Sequence, residues 1–119
     1  MTTNLITAEE TPDPGDYTDF LLNLTGQLED TEVIELPTVV LTVLTTGLGW
    51  KFDGVGDDNP VSLDVTSKKI VVWASIDILN QDDPEFDQAG IVMEGKVNFT
   101  TSPQGRKYER SFGVNYKQR

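Results

Sequence analysis

Residues 91–116 alternate between apolar and mostly polar side chains, and this pattern constrains the fold more than any other feature of the sequence. A period of two residues is typical of a strand that buries one face. Ser102-Pro103-Gln104-Gly105 fits a β-turn, because proline pre-sets the second position and glycine is favoured at the fourth. The two arms therefore predict an antiparallel hairpin, with these residues on one face: Ile91, Met93, Gly95, Val97, Phe99, Tyr108, Arg110, Phe112, Val114 and Tyr116.

Shorter segments elsewhere also favour strands, since β-branched residues are plentiful and turn residues separate them. Strand candidates lie in residues 29–36, 38–46, 50–52, 61–67 and 68–78. The run at 38–46 is interpreted as a strand buried on both faces. We predict an all-β protein, a small Ig-like antiparallel β-sandwich, with Trp50 and Trp73 as its bulky core residues.

The segment DYTDFLLNL, residues 16–24, is the one place where helical spacing competes with this pattern. Tyr17, Phe20, Leu21 and Leu24 recur at intervals that suit a helix face. The segment is too short to form a stable isolated helix, so we expect a turn or a single helical turn that closes one end of the core.

Residues 1–16 contain little that could form a core and are rich in Thr, Glu, Pro and Asp. Such a segment cannot offset its own ordering entropy when it stands alone. We predict a flexible or partner-ordered N-terminal arm over 1–16 and a single β-sandwich domain over 17–119. Within the arm, Thr11, Pro12, Asp13 and Pro14 are candidate interaction residues.

The sequence contains no cysteine and no histidine. These absences remove the thiolate nucleophile, the commonest general base and the commonest catalytic metal ligand. Neither Gly47-Leu48-Gly49 nor any other segment completes a known phosphate-binding or catalytic motif. We therefore predict that the protein is not an enzyme, and we predict no cofactor and no catalytic or metal-binding residues.

Two acidic loops leave calcium binding open as an alternative. Residues 53–59 contain three aspartates, and residues 80–90 contain Asp82, Asp83, Glu85 and Asp87. Neither loop has the alternating acids and terminal glutamate of an EF-hand, so solvated turns are the favoured interpretation.

Charge is distributed unevenly along the chain, whose formal net charge is -11. Residues 1–64 hold 13 acids and only Lys51, whereas residues 65–119 hold 7 acids and 8 bases. This balance disfavours nucleic acid as a partner. Opposed acidic and basic ends would suit contacts with other proteins or other copies, although simple solvated surface charge explains the same pattern.

The N-terminal residues have no basic segment, and no apolar run reaches the length of a membrane-spanning helix. We therefore expect that the protein does not associate with a membrane. We also expect that it is assembled in the host cytoplasm.

Arg106 and Arg110 follow the predicted turn closely, in a segment that otherwise carries Lys107 on its polar face. Arg110 is in phase with Tyr108 and Phe112, so its guanidinium must emerge at the end of the sheet or meet a carboxylate or an aromatic face. A structural role, either pairing with an acid or stacking on Tyr108, and a contact across a subunit boundary both remain open.

Residues 90–114, GIVMEGKVNFTTSPQGRKYERSFGV, resemble the end of the bacteriophage fiber-tail adaptor family. The similarity lies in a strand that leads to Thr, then a turn, Gly-Arg, a few polar residues and Arg-Ser-Phe. These residues are Thr100 or Thr101, Gly105, Arg106 and 110–112. DYTDFL is similar to the family's opening Tyr-Asp-aromatic segment, and IVVWAS to its Val-Trp strand. Phe20 replaces the usual opening tryptophan, and an eleven-residue loop, 80–90, replaces a short glycine-rich turn.

The resemblance implies a small β-sandwich that is a virion component of the phage tail, present in several copies. Such a protein would connect the tail to its fibers through contacts with tail, portal-proximal or fiber proteins. It implies interaction roles for Arg106 and Arg110, each meeting acids in the same or the next subunit. The alternative is an Ig-like binding or decoration module that recognises a glycan or peptide through its loops, with Trp50 stacking on a sugar.

Overall fold

The structure is a computed structural model that describes residues 6–7, 12–54 and 56–118. The described residues contain nine strands and no α-helix. The strands are β1 (Ile6–Thr7), β2 (Thr18–Asn23), β3 (Val33–Ile34), β4 (Val40–Val43), β5 (Trp50–Phe52), β6 (Ser62–Leu63), β7 (Lys69–Ile76), β8 (Ile91–Ser102) and β9 (Lys107–Tyr116). Short 3-10 turns lie at Thr25–Gln27, Leu36–Thr38, Ile78–Asn80 and Pro84–Phe86.

The predicted hairpin is the longest paired unit of the fold. β8 and β9 pair antiparallel from Ile91 opposite Tyr116 to Thr100 opposite Lys107. The backbone N–H of Thr101 donates to the carbonyl of Arg106 at 2.9 Å and closes the turn. Gly105 has a φ of 74°, a left-handed conformation that glycine adopts without steric cost.

The first sheet is assembled around this hairpin. β1 pairs in parallel with the free side of β9, through Ile6 opposite Phe112 and Thr7 opposite Gly113. On the other side, both β3 and β4 pair antiparallel with β8. The order β1-β9-β8-β3, with β4 also on β8, gives a five-stranded sheet.

The second sheet is centred on β7. β2 pairs antiparallel with one side of β7, from Thr18 opposite Ala74 to Asn23 opposite Lys69. β5 and β6 share the other side, so this sheet has four strands. The side chains of β7 alternate between buried and partly exposed along its full length, as one covered face requires.

The inner faces of the two sheets form one core, and the predicted all-β sandwich is confirmed. Its buried residues come from both sheets, and each is at most 5% exposed: Leu22, Leu24, Ile34, Leu48, Trp50, Ile70, Val72, Ala74, Ile76, Phe86, Met93, Val97, Phe99, Phe112, Val114 and Tyr116. Phe86 belongs to the acidic loop 80–90, so this loop also supplies a core side chain.

The helical interpretation of residues 16–24 is wrong. β2 is a strand in which Leu22 is 1% exposed and Leu21 is 45% exposed. Phe20 and Leu22 face the core opposite Val72 and Ile70, because paired residues share a face. The ladder with β7 satisfies backbone groups that a single helical turn would have left unpaired.

Two expectations about burial also require correction. Val40 is 57% exposed, because β4 is an edge strand with one covered face rather than a strand buried on both. Trp73 lies on the outer face of β7, between the inward residues Val72 and Ala74, so it is not a core anchor.

Trp50 is the tryptophan that anchors the core. It is 5% exposed, and its Nε1 donates to the hydroxyl oxygen of Tyr116 at 3.0 Å. Its ring contacts Phe52 and Phe112 at centroid distances of 4.7 and 6.1 Å. The indole therefore joins the two sheets by both ring packing and a buried hydrogen bond.

We expect Gly95→Ala to destabilise the protein by about 1–3 kcal/mol, as overpacking of a core does. A β-carbon at Gly95 would lie 2.5–3.0 Å from the Phe112 ring, directly across the ladder. Gly26→Ala is the matched control, because a β-carbon added there would have no other atom within 4 Å. Urea unfolding of both variants measures the difference, and equal stabilities would contradict the close packing.

Tyr116→Phe should cost about 1–3 kcal/mol, because the buried Trp50 N–H loses its acceptor. Burial raises the pKa of Tyr116 to about 12 from its ordinary 10.0. A raised pKa gives a stabilisation that is full below the unfolded-state value and is lost as pH rises through the folded-state value. Unfolding free energies at rising alkaline pH should therefore fall less steeply in the variant than in the wild type; equal slopes would contradict this assignment.

Candidate functional site

A buried carboxylate lies at the turn end of the β8–β9 hairpin. The Glu32 residue is 1% exposed, just before β3. Its Oε2 accepts hydrogen bonds from the hydroxyls of Thr101 and Tyr108, the latter at 2.8 Å. Its Oε1 accepts from the backbone N–H of Glu29 at 3.0 Å. Both oxygens are therefore satisfied, as a buried charge requires.

Arg106 completes this carboxylate network, which we define as Glu29, Glu32, Thr101, Arg106 and Tyr108. Its Nη1 lies 3.2 Å from Glu29 Oε1 and 3.9 Å from Glu32 Oε1. The Arg106 and Glu29 side chains are 45% and 57% exposed, so their ion pair is screened by solvent and contributes little on its own. Arg106 also places a positive charge beside the Glu32 carboxylate, which is almost fully buried.

Lys68 ties the same segment to the second sheet. Its Nζ donates to the backbone carbonyls of Glu29 and Glu32 at 2.6 and 2.9 Å. The backbone N–H of Ile34 also donates to the carbonyl of Ser67, at 2.9 Å. The residues before β3 are therefore held by the hairpin on one side and by the turn before β7 on the other.

Hydrogen bonding lowers the pKa of Glu32. The hydroxyl of Thr101 is the largest cause, and burial opposes it; the N–H of Glu29, the hydroxyl of Tyr108 and the charge of Arg106 also favour the ionised form. The carboxylate is thus held ionised with its acceptor positions occupied. The Glu32 carboxylate therefore joins the segment before β3 to the β8–β9 hairpin.

Arg110 takes the stacking role that its phase in the strand allowed. Its guanidinium carbon lies 5.1 Å from the centroid of the Tyr108 ring, and its Nε donates to Gln27 Oε1. The Phe99 ring also stacks on Tyr108, with the ring centroids 5.2 Å apart and an angle of 9° between the ring planes. Arg110 therefore contacts Tyr108 and Gln27 within the chain. A contact of Arg110 across a subunit boundary stays a prediction.

The predicted arm residues lie at the other end of the hairpin. The carbonyl of Pro12 accepts from the N–H of Lys117 at 3.0 Å, and Pro14 is buried. Asp13 Oδ2 accepts from the N–H of Gly15 at 2.7 Å. Thr11 lies outside the described residues. Partner-induced ordering of the arm stays a prediction.

The five sequence-predicted interaction residues that the structure describes thus do not form one site. Arg106 and Arg110 lie together at the start of β9, whereas Pro12, Asp13 and Pro14 are beside its end. The length of β9 separates the two groups. A single partner surface would have to run along the hairpin to contact both.

Sequence reasoning missed Glu32, Thr101 and Gln27. The available signal was the period of two: Glu32 is in phase with buried Ile34, and Thr101 continues the buried face that includes Phe99. A charged or hydroxyl residue in phase with a core face indicates a buried polar contact. Gln27 gave no comparable signal, because it lies in a 3-10 turn outside any strand.

The acidic loops use several carboxylates to fix their own turns. Asp57 Oδ2 accepts from the N–H of Gly54 at 2.7 Å, and Asp83 Oδ1 from the N–H of Glu85 at 3.0 Å. Among the described residues, no group of three or more acidic side chains is arranged to hold a metal ion. No helix in the described part of the chain has the length and apolar character to cross a membrane.

The sugar-stacking role considered for Trp50 is wrong, because its ring is buried and its N–H is bonded to Tyr116. The aromatic pair that does reach the surface is Tyr17 and Trp73, with ring centroids 5.2 Å apart on the outer face of the second sheet. The hydroxyl of Tyr17 donates to Asp53 and accepts from Asn59. These contacts fix the ring pair to the loop after β5.

Sequence comparison finds no protein-family model and no curated protein that matches this chain.

Glu32→Gln should lower the free energy of unfolding at neutral pH. As the pH falls into the acidic range, the free energy of unfolding should decrease less in the variant than in the wild type. The pKa of Glu32 lies below its ordinary value of 4.5, so its stabilisation is complete above that value and is lost as pH falls through the folded-state pKa. The difference in unfolding free energy between wild type and variant should therefore shrink in acid.

Glu35→Gln is the matched control, since Glu35 is exposed three residues further along the chain. Urea unfolding at a series of acidic pH values measures all three proteins. A Glu32→Gln curve that stays parallel to the wild-type curve would contradict the buried ionised carboxylate, as would an equal effect from Glu35→Gln.

Proposed function

We propose that this protein is a structural component of a phage virion, an adaptor that connects the tail to tail fibers through protein-protein contacts. The observation that carries the proposal is where the three family-like segments lie in the fold. DYTDFL contributes to β2 and IVVWAS to β7, and these strands pair with each other. The third segment forms the β8–β9 hairpin.

The residues of the Gly-Arg and Arg-Ser-Phe motif have distinct structural positions, which also supports the proposal. Gly105 takes the left-handed conformation in the turn. Arg106 contacts the carboxylates of Glu29 and Glu32, Arg110 stacks on Tyr108, and Phe112 is fully buried. These contacts fix the position of the hairpin within the sandwich. A hairpin held in this way suits an adaptor that must keep two partner proteins in a fixed arrangement.

The distribution of charge is compatible with a role in contacts between proteins. The net charge of -11 and the acidic loops would repel nucleic acid and attract basic protein surfaces. The absence of cysteine suits assembly in a reducing cytoplasm. On this proposal the arm and the hairpin face tail and fiber proteins, and several copies are present in each particle.

An epitope-labelled copy, supplied during infection by the phage that encodes the chain, tests this function. The label should co-sediment with intact particles and should appear by gold labelling at the junction of tail and fibers. Label that stays with soluble protein, or that decorates the head instead, would contradict the adaptor role.

The variant Arg110→Glu tests whether this residue contributes to incorporation into particles. Lys107→Glu is the matched control, because Lys107 lies on the solvent side of the same strand. Arg110→Glu should lower incorporation into particles, because it removes the stack on Tyr108 and places a negative charge near Glu32. Circular dichroism of the purified variants establishes that each is folded. Normal incorporation of folded Arg110→Glu would remove this residue from the proposed contacts.

A further inference from the structure

The strongest unexplained feature outside the hairpin is a pair of adjacent aliphatic side chains in solvent. Ile78 is 79% exposed and Leu79 is 88% exposed, in the 3-10 turn Ile78–Asn80 that follows β7. Single exposed aliphatic residues are common on protein surfaces, and Val65 is one here. Two consecutive ones, presented by a structured turn, indicate a contact site when the turn holds them in place.

The turn is fixed by four hydrogen bonds. The side chain of Asp77 accepts from the N–H of Leu79 at 3.0 Å, and its carbonyl accepts from the N–H of Asn80 at 2.8 Å. The N–H of Asp77 donates to the carbonyl of Gly49 at 2.9 Å, and Gln81 Nε2 to the carbonyl of Ile76 at 3.0 Å. The backbone that presents the two aliphatic side chains is therefore already ordered before a partner covers them, which lowers the entropic cost of binding.

Gly47-Leu48-Gly49, which matched no phosphate-binding motif, supports this turn. A β-carbon on Gly49 would lie 2.6 Å from Asp77 Cβ and 2.7 Å from Asn80 Nδ2, so only glycine permits this packing. Leu48 is 5% exposed and inserts into the core beneath. The loop thus anchors the turn from below while Ile78 and Leu79 point away from it.

The surroundings of the aliphatic pair are strongly acidic. The neighbouring segments, 12–16, 47–50, 77–90 and 116–118, contain seven acidic residues and one base, Lys117. Contacts join these segments at one end of the sandwich: Lys117 bonds Pro12, Gln118 bonds Phe86, and Asp77 bonds Gly49. We call this region the acidic end.

We propose that Ile78 and Leu79 dock onto another protein whose surface carries an apolar patch bordered by lysine and arginine. The aliphatic pair supplies the buried centre of the contact, and the acidic end supplies charge complementarity at its rim. The inference rests on the proposed function only in that the chain acts through protein contacts. Its surface is distinct from the carboxylate network.

A second copy of this chain is a poor occupant of the same surface. Three of the four hairpin bases are engaged within the chain: Arg106 with Glu29 at 3.2 Å, Lys96 with Glu109 at 3.6 Å, and Arg110 over the Tyr108 ring at 5.1 Å. Two acidic ends would repel each other. A different protein that presents several cations therefore complements this surface better than a second copy does.

The test uses the full chain and a synthetic amphipathic helical peptide with a leucine face bordered by lysine. A peptide of the same length with glutamate in place of lysine is the charge control. Titration calorimetry gives affinity, and backbone NMR shifts locate binding. We expect binding of the lysine peptide with shifts confined to the acidic end, and at least about tenfold weaker binding by an Ile78→Ser, Leu79→Ser double variant.

Val65→Ser is the matched variant, because Val65 is more exposed than either aliphatic residue but lies in the turn after β6. It should bind the peptide with wild-type affinity, and the thermal midpoints of all variants should match the wild type. The proposal is overturned if the lysine peptide does not bind, if the glutamate peptide binds equally, or if the double variant retains full affinity. Concentration-dependent self-association that the double variant abolishes would overturn it in favour of a second copy.

Particle labelling separates this result from the proposed function. Label at the tail combined with a failed peptide titration would reject this surface alone. Label absent from particles combined with a positive titration would reject the virion role and leave the docking surface standing.

Discussion

The ladder between β8 and β9 is the interaction on which the rest of the structure depends. β1 attaches to β9, and β3 and β4 attach to β8, so among the described residues every pairing of the five-stranded sheet involves one of these two strands. The inward residues of the ladder form one side of the core, and Gly95 lets the Phe112 ring lie across the neighbouring strand. Different contacts cover the two ends of the ladder: the carboxylate network lies at the turn end, and backbone hydrogen bonds of Lys117 and Gln118 lie at the other.

At the turn end, the closure is polar: the buried carboxylate of Glu32 receives hydrogen bonds from Thr101 and Tyr108, and Arg106 lies beside it. Arg106 of the basic C-terminal segment therefore lies beside two acids of the acidic half, Glu29 and Glu32, so opposite charges that are far apart in sequence meet at this end. The described segments of the acidic end, by contrast, contain seven acidic residues and one base, Lys117, which makes this end the more favourable surface for a basic partner.

Alternation was a reliable guide wherever a strand was long and covered on one face. It predicted both arms of the hairpin and the phase of Arg110. It failed at residues 16–24, since an apolar cluster of that length fits a helix face and a strand face about equally well. It also could not distinguish an edge strand from a central one for β4, because that depends on whether a neighbour lies on its second side.

The sequence by itself determined the two-sheet architecture, the position of the hairpin turn and the lack of cysteine and histidine chemistry. These follow from local periodicity, turn preferences and composition, which need no knowledge of distant contacts. Only the tertiary structure decided that Glu32 meets Thr101, that Trp50 rather than Trp73 enters the core, and that Ile78 and Leu79 stay in solvent. Each of these depends on pairing between residues far apart in the chain, and a residue's own neighbours in sequence do not specify that pairing.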